Sequence, residues 1–104
     1  MEQLEHISLN GAIFTVKGMT YLRNIKNLKS LGFFQALVDD ECLKEISRHQ
    51  NLQRLSLQHT LITDQGLLSL YSLKDLKVLH LSHTEVTPSG VAKLKKVFPN
   101  CYIP

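Results

Sequence analysis

The sequence predicts an α/β fold, a right-handed β-α solenoid with a parallel sheet on its concave side and helices on its convex side. The first observation is that Leu4, Leu28, Leu52 and Leu76 recur at one constant interval. The second is that each leucine opens an alternating apolar segment, and the third is that a helix-start pattern follows each segment. Because no unit can bury its apolar side alone, the units are expected to stack around a common core.

The strand segments share the pattern LxxLxL. They read LEHISL, LKSLGF, LQRLSL and LKVLHL, with Phe33 taking the place of the last leucine once. Alternation of this kind predicts short strands with one buried face. Successive strands are therefore expected to pair in parallel, about 4.8 Å apart.

An apolar residue followed by Thr or Asp marks the start of each helix. Thr15, Asp39, Thr63 and Thr87 hold this position, and their side-chain oxygens suit an N-cap. Pro88 follows the last of them at the first helical position, where no amide donor is needed.

A column of small residues follows shortly after the caps, and it should let the helix start lie close to the neighbouring coil. Its members are Gly18, Cys42, Gly66 and Gly90. A helical apolar stripe then points to the core. The stripe consists of Met19, Leu22 and Ile25; Leu43, Ile46 and His49; Leu67, Leu70 and Leu73; and Val91, Leu94 and Val97. His49 departs from an aliphatic column, so we expect it to be a half-buried histidine at a helix end.

The whole chain, residues 1–104, is predicted to be one domain. It divides into repeats 4–27, 28–51, 52–75 and 76–99 and a C-terminal cap strand, 100–104, in which Ile103 continues the strand register. At the other end nothing in the sequence covers Ile7 and Leu9 of the first strand. The chain is therefore expected either to be the C-terminal part of a longer protein or to self-associate through this N-terminal edge.

These features together resemble the leucine-rich repeat family. The segment from Leu52 to Leu70 reads LxxLxLxxTxITDxGLxxL, which is similar to threonine-containing repeats close to the cysteine-containing and ribonuclease-inhibitor-like classes. The resemblance covers the whole chain and implies a curved scaffold that binds proteins, usually on its concave sheet. It also implies that Thr60 and Thr84 bond the backbone of adjacent coils, whereas Ala12 and Ala36 in the same column do not.

Composition favours a cytoplasmic protein of ordinary globular type. The chain is 43% hydrophobic and 20% charged, and it shows no secretory signal and no apolar run long enough to cross a membrane. Cys42 and Cys101 lack the spacing of a disulfide framework or a metal site. A formal charge of +3 is too small for a typical nucleic-acid binder.

No enzymatic motif is present in the sequence. It contains no nucleophile elbow, no phosphate-binding glycine loop and no HExxH. The one carboxylate cluster, Asp39-Asp40-Glu41, lies at a helix start, where negative charge is stabilised in any case. We therefore expect no catalytic residues, no metal and no cofactor.

The concave face is the first candidate for partner binding. Its predicted side chains are small and polar, apart from Phe34, a large exposed aromatic flanked by Arg54 and Gln58. A single exposed aromatic residue is often without function, but here it is a candidate hot spot.

The second candidate is an apolar ridge on the loop beside the sheet. The column between the Thr and the apolar position reads Ile13, Leu37, Leu61 and then Glu85. Three interpretations stay open: the ridge binds a partner, the loops turn these residues inward, or another part of a longer protein covers them.

Three histidines, His59, His80 and His83, fall close together after the third and fourth strands. His80 is expected to point out of the sheet and the other two to lie on turns. Because this arrangement does not converge on a metal, a solvated contact patch is the preferred interpretation.

The predicted function is protein binding, as the C-terminal recognition module of a larger adaptor, substrate receptor or effector. One alternative is a structural stack that caps a larger protein. Another is a weak nucleic-acid or anionic-surface binder that uses Lys93, Lys95 and Lys96. A concave floor on the order of 300 Å² is small beside the roughly 800 Å² per partner of a specific interface, so a partner must also contact the loops or helices.

Overall fold

The computed structural model describes residues 5–10, 20–35 and 37–104, and of Asn10, Tyr21 and Phe34 it describes the backbone alone. Several predicted features therefore lie outside the described residues. They are Leu4, Ala12, Ile13, Thr15, Gly18, Met19 and Ala36.

In the described residues, four parallel strands form one sheet in the order of the sequence. They are β1 (His6–Asn10), β2 (Ser30–Phe34), β3 (Arg54–Gln58) and β4 (Val78–His80). Each strand pairs with the next at a shift of one repeat, so that Ile7, Leu31, Leu55 and Leu79 lie side by side. The predicted parallel β-α solenoid is confirmed.

Short helical segments connect the strands. They are a 3-10 turn (Tyr21–Asn24), α1 (Asp40–Ile46), α2 (Asp64–Leu67) continued by a 3-10 turn (Leu68–Ser72), and α3 (Pro88–Val97). The predicted N-caps of the three α-helices are confirmed, because Asp39, Thr63 and Thr87 each accept a hydrogen bond from an amide in the first turn. The 3-10 segments were not predicted.

One continuous core lies between the sheet and the helical segments. It includes the inward strand residues and most of the predicted stripe, from Ile25 in the first coil to Leu94 in the last. Val97 is an exception, because it is 39% exposed while Phe98, just past the end of α3, is buried in its place. His49 is more buried than predicted, at 7% exposure.

The prediction that Thr60 and Thr84 bond adjacent coils is wrong. Each hydroxyl donates instead to a carbonyl of its own coil, Thr60 to Leu57 at 2.6 Å and Thr84 to Leu81 at 2.7 Å. A Thr side chain is short, and the carbonyl three residues back is within its reach. Backbone bonds join the coils at this level, as where the Leu61 amide donates to the Val38 carbonyl at 2.9 Å.

The C-terminal segment closes the far end of the core. Tyr102 forms a single parallel bridge with Val78, and its carbonyl accepts from the Leu79 amide at 2.9 Å. This register directs Ile103 inward, and its side chain is buried.

In the described ranges, no helix has the length and apolar character needed to cross a membrane.

Candidate partner-binding site

The outward side chains of the four strands form rows across the concave face. Because the strands pair at a constant shift, every row contains residues that are one repeat apart. The first row consists of His6, Ser30, Arg54 and Val78, and the middle row consists of Ser8, Gly32, Ser56 and His80.

The middle row forms the floor of a shallow depression of about 280 Å³. Its floor is low because Gly32 has no side chain, and a Cβ built there would still be 3.8 Å from the nearest atoms of Ser8 and Ser56. Arg54 and His80 line the same depression. The centre of the concave face is therefore open to a side chain from outside.

Arg54 carries the fixed charge of the first row. Its neighbours in the row, Ser30 and Val78, are uncharged. Of the residues that the structure describes, none forms an ion pair with Arg54. The side chain is exposed, and its guanidinium is available to an external carboxylate or phosphate.

The other predicted concave residues are placed in part. His80 and Gln58 are half-buried on the face, as the alternation of the strands requires. The Phe34 backbone pairs with that of Gln58. The Phe34 side chain lies outside the described part of the structure, so its role as a hot spot stays a prediction.

A column of left-handed residues follows the strands. Gln35, His59 and His83 have φ angles of 55°, 57° and 59°, and they occupy the same position in successive repeats. This backbone region is unfavourable for most side chains, although His adopts it more readily than bulky or branched residues do. The same column contains Gly11 in the sequence. The predicted turn positions of His59 and His83 are confirmed.

The turns stack the two imidazoles. The ring centroids of His59 and His83 are 4.2 Å apart, and the ring planes differ by 10°. Nitrogens in two parallel rings point within separate planes and do not converge on one ion. Among the described residues, no group of three or more His, Cys, Asp or Glu side chains could hold a metal.

The predicted ridge is exposed where the structure describes it. Leu37 is 52% exposed and Leu61 is 53% exposed, on coils that the bond between the Leu61 amide and the Val38 carbonyl holds together. The interpretation that the loops turn these residues inward is therefore wrong for both leucines. Ile13 lies outside the described residues, and Glu85 ends the ridge with an exposed carboxylate.

A pair of aspartates holds the loops in register. Asp40 accepts hydrogen bonds from the amide of Thr63, at 2.8 Å, and from its hydroxyl. Asp64 accepts the same two bonds from Thr87. The side-chain and backbone bonds from Thr87 lower the pKa of Asp64.

The glycine column makes room for these aspartates. A Cβ on Gly66 would be 2.2 Å from Asp40 Oδ1, and a Cβ on Gly90 would be 2.1 Å from Asp64 Oδ1. The small-residue column predicted a close approach of coils here but did not reveal the aspartates. The available signal was that Asp40 and Asp64 recur at the repeat interval, each in the coil before one of these glycines.

Charges are sorted between the two edges of the solenoid. The loop edge, residues 35, 37–41, 58–65 and 82–89, has carboxylates at Asp39, Asp40, Glu41, Asp64 and Glu85 and no Lys or Arg. The opposite turn edge, residues 23–30, 47–54 and 71–78, has Asp75 as its one acidic residue and seven basic ones. They are Arg23, Lys26, Lys29, Arg48, Arg54, Lys74 and Lys77. The helix dipole favours this sorting, because helices begin at the loop edge and end at the turn edge.

Comparison with known proteins shows what part of the chain and its fold are similar to. A family model described as leucine-rich repeats in two copies matches residues 50–95. A solved structure of a leucine-rich repeat protein from Leptospira interrogans superposes with a TM-score of 0.71 at 24% identity, covering 97% of this chain and 25% of that one. The chain thus spans about a quarter of the length of that protein. No curated protein matches the sequence.

Proposed function

Because residues 50–95 match a leucine-rich repeat family model and the chain shares its fold with a leucine-rich repeat protein, we propose that it is a protein-binding module whose partner contacts the concave face and the loop edge together. The observation that carries the proposal is the exposure of Leu37 and Leu61 on adjacent coils beside the sheet. Leu37 and Leu61 hold the same position in successive repeats, and contiguous exposed apolar surface is typical of interaction sites.

The size of the concave face explains why the loop edge belongs to the same site. Four strands about 4.8 Å apart, with two or three outward positions each, expose on the order of 200–300 Å². A specific interface needs about 800 Å² per partner. A partner that also covers the leucine pair and the stacked histidines comes closer to that area than one confined to the sheet.

The proposed contacts divide into an apolar part and a polar part. Leu37 and Leu61 supply the apolar part, and Ile13 and Phe34 belong to it by their positions in the repeat. The polar contacts are proposed to be Arg54, Gln58, His80, His59 and His83. An apolar centre with a polar rim is the usual arrangement of a protein interface.

We assign no catalytic role to this surface. The finer roles proposed for the module, in an adaptor, a substrate receptor or an effector, all begin with the capture of a protein partner. The proposed location is the cytoplasm, because the composition is that of an ordinary globular protein.

The test is a capture experiment with two leucine variants. Leu61→Glu places a charge in the exposed pair, and Leu68→Glu places the same charge on a leucine of equal exposure, 54%, in the helical layer. We expect both variants to match the native chain in circular dichroism and in urea midpoint. Affinity for partners captured from the source cells should fall at least about tenfold with Leu61→Glu alone.

Equal capture by all three proteins would remove the leucine pair from the site. A second candidate function, a structural stack that caps a larger protein, gives a different result. In that case Leu61→Glu lowers the stability of the longer protein and changes no capture. Nucleic-acid binding gives a third result, an affinity that collapses with added salt and does not depend on Leu61.

A further inference from the structure

We infer that the concave face binds a short acidic segment of its partner, with an Asp or Glu side chain placed over Gly32 beside Arg54. This inference rests on the proposed function, because it names the chemistry of the partner that the same site takes. It goes further because it assigns the recognition of an acidic group to the centre of the sheet. The leucine pair keeps its role in apolar contact.

The shape of the middle row supports the inference. Gly32 leaves a gap in the floor between Ser8 and Ser56, and the depression over it is about 280 Å³. That space fits one side chain of modest size. A protruding carboxylate therefore reaches the floor, while the backbone that bears it stays above the sheet.

Charge supports the inference independently. Arg54 lines the depression, and it forms no ion pair within the described part of the chain. Two lysines at the turn edge, Lys29 before β2 and Lys77 before β4, add positive charge near Arg54. Lys29 differs from Arg54 in having a carboxylate partner, since its Nζ lies 3.7 Å from Glu5 Oε2. An arginine presents a planar fork that matches a carboxylate, and such charge-assisted pairs are stronger than neutral hydrogen bonds.

The serines add donors of the right kind. In the described residues, neither the Ser8 nor the Ser56 hydroxyl forms a hydrogen bond with another side chain or with the backbone. Both side chains adjoin the gap at Gly32. A carboxylate placed there accepts from the hydroxyls while it pairs with Arg54, and hydrogen bonds to a charged acceptor are the stronger ones.

The length of the acidic segment follows from the strand spacing. The middle row crosses four strands, so it is about 14 Å long. An extended peptide advances about 3.3 Å per residue, so a segment of roughly four or five residues covers the row. Such a segment runs across the strands, from the Ser8 end to His80.

The distribution of charge beside the concave face disfavours nucleic acid. The loop edge beside the concave face has five carboxylates and no Lys or Arg in its described segments. A continuous phosphate backbone laid across the sheet meets these charges, whereas a short acidic peptide does not extend that far.

The experiment is selection from a random-peptide display library on the immobilised chain. We expect the native chain to enrich peptides with clustered Asp and Glu. Arg54→Glu and Arg54→Gln should abolish that enrichment, and Gly32→Val should reduce it by filling the gap without a change of charge. Lys96→Glu is the matched control, since it makes the same change of charge on exposed α3, and it should keep the enrichment.

A selected peptide then gives affinities by fluorescence anisotropy. The dissociation constant should rise at least about tenfold for Arg54→Gln and for a peptide with Asn and Gln in place of its acids. An acidic preference that is absent, or that survives Arg54→Glu, overturns the inference. It is also overturned if a single-stranded oligonucleotide displaces the peptide and binds more tightly through Arg54. Capture that depends on Leu61 but shows no acidic preference sinks this inference alone and leaves the proposed function standing.

Discussion

At the scale of the residue, His49 is the least expected member of the core. It occupies a column that is otherwise Ile25, Leu73 and Val97, yet it is 7% exposed. Burial lowers the pKa of His49, against the opposing effects of a backbone hydrogen bond with Ile25 and the charge of Glu45. Burial therefore favours the neutral imidazole of His49 in the folded chain.

This burial predicts a loss of stability in acid. The unfolded chain takes up a proton at His49 near its ordinary pKa of 6.5, while the folded chain does so only at lower pH. The contribution of neutral His49 to the stability of the fold is therefore present above pH 6.5. It is lost as the pH falls through the lowered pKa that His49 has in the folded chain. Urea unfolding of the native chain and of His49→Leu should show a gap in stability that changes between pH 7.5 and 5, in favour of the variant. A gap that stays constant with pH would show that His49 is not buried as a neutral group.

Single residues differ in how far the sequence predicts them. The N-caps Asp39, Thr63 and Thr87 could be predicted because their chemistry is local and the helix start follows at once. The left-handed backbone of His59 and His83 could be suspected only from Gly11 in the same column. The stacking of their rings depends on side-chain rotation, which no periodicity determines.

At the scale of the element, one carboxylate holds each of two helix starts to the next coil. Asp40 stands at the first position of α1 and accepts from Thr63, the N-cap of the following helix. Asp64 repeats the arrangement with Thr87. One side chain thus satisfies two groups on the neighbouring coil and fixes the loop on which Leu61 is exposed. The absence of a side chain at Gly66 is the condition for this contact.

Gly66→Ala is predicted to destabilise the chain. Ala normally stabilises a helix relative to Gly by about 1 kcal/mol. Here its Cβ would be 2.2 Å from Asp40 Oδ1 and 2.9 Å from Leu43 Cδ1, so the carboxylate must leave Thr63. We expect a net loss of about 1–3 kcal/mol in the free energy of unfolding.

A double-mutant cycle tests whether displacement of the Asp40 carboxylate is the cause of this loss, or whether position 66 tolerates no side chain for another reason. In the Asp40→Ala background, Gly66→Ala should cost much less, because the displaced carboxylate is already gone. Gly32→Ala is the control, since its Cβ meets nothing closer than 3.8 Å. Equal costs of Gly66→Ala in both backgrounds would contradict the proposed contact.

The elements also differ in how far the sequence predicts them. Strand positions and register could be inferred from the recurrence of LxxLxL, because the inward face of every strand has to be apolar. The 3-10 segments Tyr21–Asn24 and Leu68–Ser72 could not, since a few apolar residues at helical spacing fit either geometry. The exposure of Leu37 and Leu61 could not be predicted for a related reason, because the path of a loop is not periodic.

At the scale of the whole molecule, the described coils share one core that reaches Ile103. The buried cluster is continuous from Ile25 to Ile103, so each coil is stabilised chiefly by its neighbours. Two backbone hydrogen bonds join β4 and the preceding Lys77 to the C-terminal segment. The Leu79 amide donates to the Tyr102 carbonyl, and the Tyr102 amide donates to the Lys77 carbonyl. A substitution in this last coil therefore tests how far a local loss of stability spreads through the stack.

Ile103→Ala is predicted to weaken the entire stack and not its end alone. Removal of a buried side chain of this size costs about 2–4 kcal/mol. Tyr102→Ala is the control, because that side chain is 63% exposed, and it should cost less than about 1 kcal/mol. With so few coils and one core, unfolding is expected to be all-or-none. Amide hydrogen exchange measures this directly.

The amides to compare are those of Arg54, which donates to Lys29 in mid-sheet, and of Leu79, which donates to Tyr102 at the end. A loss of about 2 kcal/mol speeds exchange through global unfolding about 30-fold. We expect Ile103→Ala to speed both amides by the same factor. Acceleration at Leu79 alone would mean that the last coil opens by itself, and the chain would then be a series of nearly independent units in place of one cooperative body.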